Sequence, residues 1–213
     1  DNNHGAGIET RNLNGDIEIR NAGNMQVDSD SFSVGIFADS DYGNVYIANS
    51  GDLTSTAYGP AVGIEARAKY DIEVFNLGDI SATSDVSFAG GIFSSTYNGD
   101  VYVASQGNVS VNSGNYAAGI SAFTLFGDAT ALNSGAIDVY GYNSSVGIQA
   151  SAFFGNVLVG NSGSIDSVSY GVSTGISAQS QYDVTVVNSG DMNISSLYSN
   201  ASGIDAYSSQ GDV

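Results

Sequence analysis

The sequence predicts an all-β chain: a single-stranded parallel β-helix, or β-solenoid, with three short strands in each 28-residue coil and about 7.5 coils. Three observations carry the prediction. Gly-Ile recurs every 28 residues, so that coils start at 7, 35, 63, 91, 119, 147, 175 and 203. Between these beats lie three runs of period-two alternation, each too short for a helix. Gly, Asn, Asp and Ser punctuate the runs, as chain reversals require. A period kept through seven copies without net insertion means one supersecondary unit stacked on itself, so residues 1–213 read as one continuous domain. Residues 1–6 and 203–213 read as parts of further coils, and the chain is expected to be a segment of a longer array.

The first strand of each coil is the Ile-x-Ala run, as at Ile36 and Ala38 or Ile148 and Ala150. Its isoleucines (Ile8, Ile36, Ile64, Ile92, Ile120, Ile148, Ile176, Ile204) are expected to form one inward column along the axis. Burying one such side chain per coil contributes on the order of 2 kcal/mol. A one-residue slip would turn the apolar set outward, so the column fixes the register. The second strand is Val-x-Val, as at Val45 and Ile47, and the third is Ile-x-Val, as at Ile137 and Val139. Each strand pairs with its equivalent one coil away, in parallel, at about 4.8 Å, which gives a rod of roughly 35 Å. Coils three and seven lack the corner glycine before Ile72 and Val184 and recover one residue in the tail that follows the third strand.

Three columns mark the corners. Asn21, Asn49, Asn76, Asn133, Asn161 and Asn188, with Ser105 as the exception, are each followed two residues later by glycine. They read as an asparagine ladder whose glycines take a positive-φ turn, in preference to a ligand-binding array. Tyr42, Tyr70, Phe126, Phe154 and Tyr182 read as stacked rings, with a sugar platform as the alternative. Asp16, Asn44, Asp71, Asp100, Asp128, Asn156, Asp183 and Asp212 read as turn residues. Asp71, Asp100, Asp128 and Asp183 are also weak Ca2+ candidates, because repeated oxygen ligands lie there without bases, although a calcium site needs six to eight converging oxygens. No other cofactor is expected.

The outer face of the second strand is less polar than a solvated face requires. Its residues include Tyr46, Phe75, Tyr102, Leu132, Leu158 and Val187, and strands apolar on both faces are usually covered on both. This is the candidate packing or partner face. Outward positions of the first strand add Phe37, Phe93, Phe123 and Tyr207, and Gly-Ile-Glu alternates with Gly-Ile-Phe in the early coils.

Composition narrows the partners. Net charge is −18, the only bases are Arg11, Arg20, Arg67 and Lys69, and residues 70–213 carry twelve acids and no base. Such a surface repels nucleic acid and anionic membranes. No apolar run is long enough for a transmembrane helix, so this segment is not expected to insert into a membrane. There is no cysteine, hence no disulfide or thiolate site. Every acid recurs within a column, His4 is alone, and no inserted loop walls a cleft, so no catalytic residue is assigned and the chain is not expected to be an enzyme.

The motif Gly-Ile-x-Ala…Gly-Asp-Val-x-Val-x-Asn-Ser-Gly-x-Ile resembles the repeats of Gram-negative surface and secreted β-helix proteins, the autotransporter passengers and filamentous-haemagglutinin-like adhesins. The resemblance implies a right-handed coil, export to the bacterial cell surface or beyond, and a role in adhesion, aggregation or biofilm. Its partner would be a host or cell-surface ligand, or another copy of itself. The uniform period keeps a second reading open, the shaft of a self-assembling extracellular fibre or surface-layer filament with lateral rod contacts. A polysaccharide-acting β-helix enzyme is the remote alternative.

Overall fold

The computed structural model describes residues 4–213, and among these there are strands, turns and bends but no helix. The first coil contains β1 (His4–Asn12), β2 (Ile17–Asn21) and β3 (Met25–Ser29), and the same three elements recur up to β22 (Ala201–Ser208). Every strand pairs in parallel with its counterpart in the next coil. The result is three sheets, one of eight strands and two of seven, which form the first, second and third sides of a three-sided stack.

The core follows from the alternation. Ile36, Ile64, Ile92, Ile120, Ile148 and Ile176 are fully buried and in register with one another. Ile8 and Ile204 lie in the outermost coils, with a neighbouring coil on one side only, and are partly or largely exposed. The partner column two residues on is Ala38, Ala66, Ser94 and Ala122 in the early coils. There the Ser94 hydroxyl is buried without a hydrogen-bond partner. Ser94→Ala removes that unmet group at nearly constant shape, so it should raise stability by about 1 kcal/mol. A lower urea midpoint for the variant would refute this.

The first-side strands are longer than the Ile-x-Ala run, for example Phe32–Ser40 and Ser144–Ala152. Much of the tail is therefore strand. The glycine of Gly-Ile resets the alternation: Ser33 points inward to the Ser55 hydroxyl at 2.6 Å and Ile36 also points inward, while Val34 and Phe37 share an outer cluster. A strict period-two reading stops at that glycine.

Among the described residues none has a positive φ except Gly15, whose 158° is extended backbone. The positive-φ role expected for the corner glycines is thus incorrect. They are needed because the coils touch: a Cβ on Gly51, Gly78 or Gly107 would lie 2.2, 2.1 or 2.0 Å from the glycine carbonyl oxygen of the coil before it. The Gly-Ile glycines are equally tight, with a Cβ on Gly119 falling 2.5 Å from the Gly147 oxygen.

Length compensation is visible in the register. Ile72 pairs with Val45 and Val101, spacings of 27 and 29 residues, while Ile64 and Ile92 keep 28. Val184, paired with Val157, repeats the short step in coil seven.

Candidate functional site

The corner columns are structural networks in the first instance. Each member of the carboxylate and amide column accepts, through Oδ1, the backbone N–H of its successor, from Asp16 to Asn44 and onward to Asp212, at 2.7–3.1 Å. Asp71, Asp100, Asp128 and Asp183 therefore already use one oxygen on the coil above. Among the described residues no three His, Cys, Asp or Glu side chains come together as a metal-holding group. A second column with the same bond runs through Asn24, Asp52, Asp79 and Asn108 at the next corner. Sequence reading missed it, although an Asx every 28 residues beside the Asn-x-Gly corner was the available signal.

The asparagine column is a one-way amide ladder. Asn21 donates to Asn49, Asn49 to Asn76, Asn133 to Asn161 and Asn161 to Asn188, at 2.7–2.8 Å. The second N–H of each goes to the glycine carbonyl two residues on, and Asn188 does the same. Asn76 donates to the Ser105 hydroxyl at 3.2 Å, whose own proton turns to Gly107. The shorter side chain ends the ladder there. Asn133 Oδ1 is left buried without a donor.

On the outer face of the second side, the rings of Tyr46, Phe75 and Tyr102 pack diagonally across three coils, with centroids 5.8 and 5.5 Å apart. Leu132 leans over Gly160, where a Cβ would come within 2.9 Å of it. Leu158 and Val187 continue the stripe at 40% and 59% exposure. The polar end is Arg20, which lies 5.1 Å above the Tyr46 ring while paired with Glu18.

The outer face of the first side gives the Glu and Phe alternation a physical basis. Glu9, Phe37, Glu65 and Phe93 form one column in register, and Arg11, Asp39 and Arg67 form the next. Arg11 and Arg67 stand over the Phe37 ring at 5.2 and 5.7 Å and pair with Glu9 and Glu65 respectively. A carboxylate in every second coil, next to the Phe37 ring on both sides, lets each guanidinium serve both. Phe88 bridges onward, with its ring 4.9 Å from Phe93 and 5.8 Å from Tyr116.

Burial pushes the Tyr116 hydroxyl up to about 12, and that hydroxyl meets Gln149 Oε1 at 3.0 Å. The unfolded chain ionises it near pH 10. Its stabilising contribution is therefore complete below pH 10 and is lost as the pH rises through 12, a change of about 2–3 kcal/mol. Tyr140 is also raised, by desolvation and the neighbouring Tyr170, so in a phenolate absorption titration Tyr116→Phe should remove one tyrosine from the late part of the curve. A titration unchanged by the substitution contradicts the assignment.

A ring occupies the corner between the first and second sides in every coil from the second to the seventh: Tyr42, Tyr70, Tyr97, Phe126, Phe154 and Tyr182, all exposed by 41–55%. Phe126 and Phe154 stack at 5.0 Å and 10°, while Tyr97 meets Phe126 edge-on at 5.5 Å. The Lys69 ammonium lies 4.2 Å from the centre of the Tyr42 ring. Tyr97 stands one residue earlier in its coil than the others, which takes it out of the 28-residue spacing.

Equal coils, three parallel sheets and side chains organised in ladders define a repeat domain of the parallel β-helix class, in keeping with the repeat region of a Gram-negative surface β-helix protein. The particular family is the BigA third pectate lyase-like domain, whose family model matches residues 15–211, and the chain belongs to it. No curated protein and no solved structure matches the chain.

Proposed function

We propose that this domain is a non-catalytic, extracellular rod at the bacterial cell surface that mediates adhesion or aggregation through its sides. The observation that carries the reading is the apolar stripe on the outer face of the second side, where Leu158 and Val187 stay exposed beside Leu132. Exposed apolar stripes of this kind mark surfaces that meet a partner. The non-catalytic part is supported by the engagement of the charged groups: column carboxylates accept backbone N–H groups, and Glu9 and Glu65 are held by arginines. A general acid or base needs freedom to exchange a proton with a substrate.

The fibre-shaft reading rests on the same stripe with a second rod as the occupant. Leu158→Glu with Val187→Glu, made in the full-length protein on cells, separates the surface from the scaffold. Thermal stability of the domain should change little, since both residues point to solvent, while cell attachment and aggregation should fall several-fold. Unchanged attachment and aggregation in well-displayed protein would remove the stripe from the mechanism. Imaging of native particles distinguishes the two occupants: lateral rod bundles indicate the fibre, and separate cell-anchored rods the adhesin.

A further inference from the structure

The corner between the first and second sides opens, at coils six to eight, into a cleft of about 400 Å³. Three rings line it, Phe153, Phe154 and Tyr207, and the polar groups among them are the amides of Gln179 and Gln181 and serine hydroxyls such as Ser151. Phe153 and Phe154 meet edge to face at 4.7 Å, and Phe154 continues the stack to Phe126. Within a chain of charge −18, no side chain that is charged at neutral pH lines this cleft. The Gln181 Oε1 atom is buried and receives no hydrogen bond.

These features select a ligand chemistry. Flat exposed rings offer contact to a flat array of C–H groups, and neutral amides and hydroxyls offer hydrogen bonds without a charge requirement. An acidic polymer is disfavoured by the chain's net charge of −18. We propose that the cleft binds a neutral saccharide, with a pyranose ring laid against the exposed rings of Phe153 and Phe154 and its hydroxyls bonded to the exposed amide of Gln179 and to serine hydroxyls of the lining. Adhesion is thereby given a ligand class, and the site stands apart from the stripe on the second side.

The test is calorimetric titration of the intact chain with three neutral hexasaccharides, β-1,4-linked glucose, β-1,4-linked N-acetylglucosamine and α-1,4-linked glucose, and with hexagalacturonate as the acidic probe. At least one neutral probe should bind, and Phe154→Ala should weaken it about 10-fold, equivalent to about 1.4 kcal/mol. Gln179→Leu, an exposed change that leaves the ring stack in place, should weaken it as well, with the melting temperature reporting that both variants fold. Absence of binding by all three neutral probes overturns the proposal, as does binding that neither substitution alters. Equal or tighter binding of hexagalacturonate overturns the neutral-ligand assignment. Glycan binding that fails while attachment still depends on Leu158 and Val187 leaves the adhesive rod standing without this ligand.

Discussion

Gly135→Ala should destabilise the rod by about 4 kcal/mol, in the range reserved for severe core lesions, whereas Gly23→Ala at the same position of the first coil should change stability by less than about 0.5 kcal/mol. The added Cβ at Gly135 would lie 2.2 Å from the Gly107 carbonyl oxygen and 2.6 Å from its carbon. Both are backbone atoms held by the sheets on either side, so the clash has no flexible side chain to absorb it. At Gly23 the nearest atom is Asn21 Oδ1 at 3.9 Å, an ordinary contact. Neither glycine has a positive φ, so backbone strain contributes at neither site. Urea unfolding of the two variants side by side is decisive: equal effects would show that the glycines serve conformation and not contact between coils.

Ser105→Asn should act in the opposite direction and raise stability by about 2 kcal/mol. The longer amide reaches the acceptor that serine leaves empty. It replaces the 3.2 Å contact from Asn76 with an amide to amide bond, keeps the bond to Gly107, and donates to Asn133 Oδ1. Satisfying one buried acceptor contributes about 1–3 kcal/mol. Space is already demonstrated by the buried asparagines on either side, Asn76 and Asn133, in the same Asn-x-Gly setting. A melting temperature that fails to rise would mean that the orphan oxygen is met in some other way.

The fold was legible because its determinants are local and repeated. The Gly-Ile beat fixes the inward column, the Asn-x-Gly pattern fixes one corner, and the missing glycine before Ile72 reads directly as a spacing of 27 followed by 29. The extra length of the first-side strands escaped notice because an inward Ser33 and an inward Ile36 stand three apart across a glycine, and no period of two spans that step. The contact role of the corner glycines was hidden because a sequence does not show which carbonyl lies opposite. The same holds for the outer first side. Phe37, Glu65 and Arg67 were each visible as letters, but the sharing of one ring by two guanidiniums depends on residues 28 apart being adjacent in space. The unmet Asn133 and Gln181 oxygens belong to the same category, since an orphan is defined by what fails to reach it.

The paired spacings of 27 and 29 also say how such a molecule is able to change over generations. A single-residue deletion survives here because the same coil returns the residue before the next Gly-Ile is reached. An uncorrected slip would invert every side chain beyond it. Duplication or loss of a whole 28-residue unit, by contrast, disturbs no register at all. Inherited variation in reach is therefore quantised, each gene-level step lengthening or shortening the rod by one sheet spacing, about 4.8 Å, while point changes on the outer faces retune what it touches.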